Sequence, residues 1–113
     1  MRYNLICCAS FWISAKDVIN IYPNAKSDIY DYLTYLSTTP GSGDPVPGYE
    51  GKVFKERWGL KNYRIGKPGG LRVYYYYRDN LIAPFFIYSK KQREDAEREV
   101  IRKIVSLIEQ EIN

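Results

Sequence analysis

Between Lys52 and Arg72 the chain places seven cations, Lys52, Lys55, Arg57, Lys61, Arg64, Lys67 and Arg72, against a single acid, Glu56. That is a local charge of +6 in a chain whose net charge is only +4. Residues 1–51 carry a slight acidic excess and residues 73–113 balance, so the positive charge belongs to one segment. A polyanion is the partner such a patch selects. Trp58 and the run Tyr74-Tyr75-Tyr76-Tyr77 stand among these cations. Flat rings beside fixed positive charges suit a nucleic acid, because rings stack bases while cations hold phosphates and stabilise charge developing on them. The segment therefore reads as a surface for RNA phosphates.

The chain contains no histidine. This excludes a Ser/His/Asp triad, a Cys/His pair, a two-histidine ribonuclease and a zinc site of the usual kind. Lysine, arginine, tyrosine or a carboxylate must then move any proton, and the acid-rich stretches are expected in helices away from the patch. Gly66-Lys67 is not a phosphate-binding P-loop, since the leading glycine frame and a following Ser or Thr are missing. The two cysteines, Cys7 and Cys8, are adjacent, where a mutual disulfide is strained and a metal pair lacks spacing. They read as buried thiols of a cytoplasmic protein. No cofactor and no metal are implied, no apolar run is long enough for a membrane span, and the N-terminus is too short in apolar residues for a secretory signal.

At 113 residues the chain is expected to form one domain, 1–113. The spacing predicts a first strand over Tyr3 to Ala9 and a helix from Ala15 that ends by Tyr22, before Pro23, with Ser14 and Asp17 as its start signal. Ala25, Ile29, Tyr32, Leu33 and Leu36 write a second helix over 25–38. Residues 40–48, rich in Pro and Gly, read as an irregular loop. Strands are predicted at Lys52 to Trp58, at 62–66 and at Leu71 to Arg78, the last two joined by a tight turn over Lys67-Pro68-Gly69-Gly70. Another runs from Leu81 to Ser89, with a bulge or free edge at Pro84. Gln92 to Ile112 is a long amphipathic helix with Glu94, Asp95 and Glu97 at its start. The class is α+β, a βααβββ core with a twisted, mainly antiparallel sheet and helices on one face.

Strand alternation sets Val53, Lys55 and Arg57 on one side of their strand, and Arg72, Tyr74 and Tyr76 on one side of theirs. Phe86, Tyr88 and Lys90 alternate with Phe85, Ile87 and Ser89. An open sheet face bearing Lys55, Arg57, Arg72 and Lys90, with Tyr74, Tyr76 and Tyr88 between them, would clamp phosphates and stack bases. Tyr75 and Tyr77 are expected in the core. The charges of 90–99 are expected to be a solvated helix start, except Lys90 and Lys91 at the strand end.

Phe54-Lys-Glu-Arg-Trp, Gly66-Lys-Pro-Gly-Gly-Leu-Arg-Val-Tyr-Tyr-Tyr and Ile87-Tyr-Ser-Lys, followed by an acid-rich helix start, resemble the RelE/HigB branch of the RelE/ParE toxin superfamily. Tyr22-Pro23, Asp28-Ile29, Leu33, Leu36, Pro40 and Gly43-Asp44-Pro45 are similar to that family's N-terminal half, so nearly the whole chain is covered. The resemblance implies the toxin of a type II toxin–antitoxin pair, a metal-independent endoribonuclease that cuts messenger RNA in the ribosomal A site. The ribose 2′-hydroxyl attacks, and a co-encoded antitoxin inhibits. By matched position Arg57 and Lys67 lead the catalytic set, Lys55 and Arg72 clamp phosphate, and Lys90 is a further contact. Lys61, Arg64, Tyr74, Tyr76, Tyr88 and Lys91 would bind RNA. Glu56, Pro68 and the lack of a tyrosine in the last helix depart from the family pattern. The general base therefore stays open between Lys67, the favoured group, and Tyr74 or Tyr88. The alternatives are a ParE-like gyrase inhibitor and an inactive relative that only binds RNA or antitoxin.

Overall fold

The computed structural model describes residues 3–112. Two helices come first, α1 (Ala9–Ile21) and α2 (Lys26–Thr38), after a two-residue strand β1 (Asn4–Leu5). Strands β2 (Asp44–Pro45), β3 (Val53–Trp58), β4 (Leu71–Arg78) and β5 (Leu81–Ser89) follow, and α3 (Arg98–Ile112) closes the described chain. They build a five-stranded mixed sheet in the order β1-β5-β4-β3-β2, with β1 parallel to β5 and the other neighbours antiparallel. The class is α+β. No helix among the described residues is long and apolar enough to cross a membrane.

The helices are not on one face. Phe11, Val18, Ile29 and Leu36 of α1 and α2 pack on Leu71, Val73 and Tyr75. Ile101, Val105 and Ile108 of α3 pack on the opposite side, against Val53, Tyr74 and Tyr76. The chain is thus three-layered, and α3 covers part of the face expected to be open. Its apolar stripe shows that it packs, and nothing in the stripe says on which side of the sheet.

Several boundaries move. The first strand stops at Leu5, although Ile6 and Cys8 still donate backbone hydrogen bonds to Ile82 and Pro84 at 2.9 Å each. α1 begins at Ala9, six residues before the expected start at Ala15. Ser14 is no cap: it is buried, its hydroxyl donates to the Phe11 carbonyl at 2.9 Å, and it accepts the Ile87 N–H at 3.0 Å. The Pro/Gly loop contains the short strand β2, paired with Phe54 and Lys55. No strand forms over 62–66; 3₁₀ turns over Lys61–Tyr63 and Lys67–Gly69 stand there, with one bridge between Leu60 and Ile65. The last helix starts at Arg98 rather than Gln92. Cys7 and Cys8 are free and half-buried, and burial pushes the Cys7 thiol up to about 11.

The strands β3, β4 and β5 lie where the alternation puts them. Pro84 does mark an irregularity: Tyr74 pairs with Phe86 and Tyr75 with Pro84, so Phe85 is an extra residue in the ladder. That bulge turns Phe85 to the α3 side, contrary to its expected partnership with Ile87.

Candidate phosphate-binding end of the sheet

Arg57 and Arg72 face each other across β3 and β4 on the α3 side, with Tyr88 next in the same row. Like charges directly opposite on a sheet repel. No acid relieves this on Arg57, which is exposed and makes no ion pair among the described residues. Arg72 is 5% exposed. Its guanidinium donates to the carbonyls of Lys67 at 3.0 Å, Leu71 at 3.1 Å and Pro68 at 2.9 Å. Burial first, and then the neighbouring Arg57, pull its pKa below the ordinary arginine value.

Those three bonds explain the Gly-Lys-Pro-Gly-Gly-Leu-Arg sequence physically. Arg72 gathers the turn around one planar fork, a geometry lysine lacks. Gly70 presses against the end of β3, where a Cβ would lie 2.3 Å from the Trp58 carbonyl. Any side chain there pushes the turn away. The Gly70 carbonyl also accepts the Lys90 N–H at 3.0 Å. Lys67 is thereby held at the strand ends, exposed, with its ammonium 5.9 Å from the centre of the Trp58 ring. Trp58 belongs to the α2 side, against Tyr32 and Tyr35 at 5.2 and 5.1 Å. Arg57 and Lys67 thus emerge on opposite faces of the same sheet end.

Lys55 has a different neighbourhood. Its ammonium donates to the Asp95 carboxylate at 2.8 Å, and the same oxygen accepts the hydroxyls of Tyr74 at 2.9 Å and Tyr88 at 3.3 Å and the Ala96 N–H at 2.9 Å. The Lys55 hydrogen bond, ahead of that from Tyr74, holds the Asp95 carboxyl down at about 2. Burial opposes the charge on Lys55, but Asp95 and Tyr88 together outweigh it and its pKa rises. Lys90 pairs with Glu94 at 3.1 Å. Acids therefore do stand beside the basic segment, because residues 90–97 fold back as an irregular stretch instead of starting a helix. A groove of about 1110 Å³ between the 44–49 loop and α3 has Lys55, Tyr74 and Asp95 on its floor.

The three tyrosines expected to stack bases are covered. Tyr76 is fully buried with its hydroxyl on Glu109 at 3.0 Å, and Tyr74 and Tyr88 are buried under residues 95–96 and α3. Burial, ahead of the Asp95 contact, pushes the Tyr74 pKa far up, and burial raises that of Tyr88. Neither phenol ionises readily enough for a general base near neutral pH. Lys61 and Arg64 are exposed on a turn fastened to the start of α2, where Asn62 donates to Asn24 and Ser27, and Tyr63 accepts the Asn24 N–H at 2.7 Å. Lys91 joins them, 5.8 Å from the centre of the Tyr22 ring, which itself meets Tyr63. Asp95 and Glu94 are the neighbours that sequence reasoning missed as parts of the site.

Of the basic segment, Arg57, Lys67 and Arg72 stand together where β3 ends and β4 begins, none of them in an ion pair among the described residues. Among the described residues no group of His, Cys, Asp or Glu converges to hold a metal. The chain matches no protein-family model and no curated protein.

Proposed function

We propose that this protein is an RNA-cleaving toxin, a metal-independent messenger RNA endoribonuclease acting in the ribosomal A site, and that the Arg57, Arg72 and Lys67 end of the sheet holds the scissile phosphate. The observation that carries this is the cross-strand arginine pair, in which Arg57 is exposed without an ion pair among the described residues and whose mutual repulsion an anion between the two would relieve.

The ribose 2′-hydroxyl attacks the adjacent phosphorus, its oxygen bonding to phosphorus while the bond to the 5′-oxygen of the next nucleotide breaks. A cyclic phosphate and a free 5′-hydroxyl remain. Two negative charges build on the equatorial oxygens as the phosphorane forms. Arg57 and Arg72 are permanently charged, so they stabilise that charge without a proton transfer. Lys67 is the candidate for the proton steps, since it is exposed, at the same end of the sheet and on a turn that Arg72 fixes. A co-encoded acidic partner would silence the site by supplying carboxylates to the same arginines.

Expression of the chain alone is expected to arrest bacterial growth and shorten messengers, and an Arg57→Ala/Lys67→Ala double variant to be soluble and harmless. Growth arrest with intact messengers and altered DNA supercoiling would overturn the reading in favour of a gyrase inhibitor. Normal growth with the wild-type chain in soluble form would overturn it in favour of an inactive relative.

A further inference from the structure

Resting on the phosphate-site reading, we infer that Trp58 and Tyr35 form a nucleobase-stacking shelf on the α2 side of the same sheet end, covered by the Lys67 ammonium in the free protein.

Tyr74, Tyr76, Phe85 and Tyr88 on the α3 side are buried, so a base cannot stack on them. Trp58 and Tyr35 are an accessible pair beside a cation that makes no ion pair among the described residues, and they stand at the end of β3 next to Arg57. Trp58 is half-buried and Tyr35 is 37% exposed. Their centres lie 5.1 Å apart with planes inclined by 37°. Tyr32 stands edge-on behind the indole, and its hydroxyl is fixed on Glu56 at 2.9 Å, so the shelf has a rigid back. The Lys67 ammonium lies over the indole. A lysine on an aromatic face at an exposed site is held weakly, whereas a phosphate offers it a charge-assisted hydrogen bond. Lys67 therefore leaves the ring when RNA arrives, and the uncovered indole takes a base.

Chain geometry supports the pairing of the two events. Arg57 and Trp58 are consecutive on β3 and project to opposite faces. A phosphate held by Arg57 and a base lying on Trp58 then belong to one strand folded over the end of β3. Stacking of this kind takes any base, so the shelf adds affinity and position rather than sequence choice.

The chain has two tryptophans, and Trp12→Phe leaves Trp58 as the sole indole reporter without touching the shelf. Its emission is followed while a 2′-O-methyl oligoribonucleotide, which cannot be cut, or the same strand with abasic positions is added. The base-bearing strand is expected to quench Trp58 and to bind about tenfold more tightly than the abasic strand. Tyr35→Ala is expected to weaken the base-bearing strand several-fold and leave the abasic strand unchanged. Equal binding of both strands, equal quenching by both, or an equal loss for both in Tyr35→Ala overturns the shelf while the phosphate site stands. Failure of both strands to bind, together with no cutting on programmed ribosomes, overturns the phosphate site itself.

Discussion

The two ends of the β3–β4 pair carry the same kinds of cation and treat them oppositely. At the α3 end Lys55 meets Asp95, and Lys52 lies 4.0 Å from Glu109. At the other end Arg57 and Arg72 stand side by side without an acid on Arg57, and Lys67 rests on a ring. A charge of +6 along the sequence is therefore not one surface. Its inner half holds α3 and residues 90–97 to the sheet, and its outer half makes no ion pair among the described residues. The lesson is that local charge locates a polyanion site only after the folded neighbours of each cation are known.

Breaking the outer end at its buried member is expected to do most. Arg72→Ala strands three carbonyls and releases the Lys67 turn, so RNA cleavage falls by more than a hundredfold and stability by about 2–3 kcal/mol. Urea unfolding and single-turnover cutting check the two losses together. Arg72→Lys keeps the charge and not the fork. It is expected to lose about 1–2 kcal/mol and most of the activity, because a point charge cannot hold three carbonyls in one plane. Wild-type cleavage by Arg72→Lys would show that the turn geometry is irrelevant.

How far this was legible in the sequence follows from the same residues. Alternation along β3 and β4 correctly put Lys55, Arg57, Arg72 and Tyr74 on one side, because period-two geometry is local to the strand. The side on which α3 packs was not legible, since an amphipathic stripe demands a cover and names none. The sequence places Asp95 in a helix start, because acids favour that position. Its carboxylate instead answers Lys55, forty residues away, and no local pattern carries that pairing. Ser14 and Asp17 imitate a cap and so predict too late a start for α1, whereas the helix begins at Ala9 behind Cys8, whose side chain makes no capping bond. The sequence sets Trp58 among the cations, but which cation meets it depends on the turn at Gly66–Gly70, which brings Lys67 onto the ring.

A smaller effect sharpens the comparison from the inner end. Asp95→Asn is expected to cost about 1 kcal/mol in stability, leave cleavage within a few-fold of wild type and strengthen salt-sensitive RNA binding several-fold by freeing Lys55. RNA affinity measured at two salt concentrations reads this, and a large loss of cleavage would mean that Lys55 and Asp95 belong to the chemistry.

The smallest effect is acid sensitivity. The folded Asp95 carboxyl is lowered from 3.8 to about 2. A depressed carboxyl contributes stability that is complete above the unfolded value and disappears as pH falls through the folded one. Its side chain is 64% exposed, so solvent screening leaves about 1 kcal/mol to be lost between roughly pH 4 and pH 2. Asp95→Asn should flatten that part of the stability curve, measured by denaturant unfolding across the window, and an unchanged slope would remove Asp95 from the balance.

The two ends are told apart most directly by single-turnover cutting of messenger RNA on programmed ribosomes with Arg57→Ala and Lys55→Ala side by side. The outer end is predicted to matter more: Arg57→Ala slows cutting by roughly a hundredfold or more, and Lys55→Ala by less than about tenfold, with both variants folded by circular dichroism. Cutting at the wild-type rate by Arg57→Ala, or a larger loss in Lys55→Ala than in Arg57→Ala, would contradict the placement of the scissile phosphate at the arginine pair.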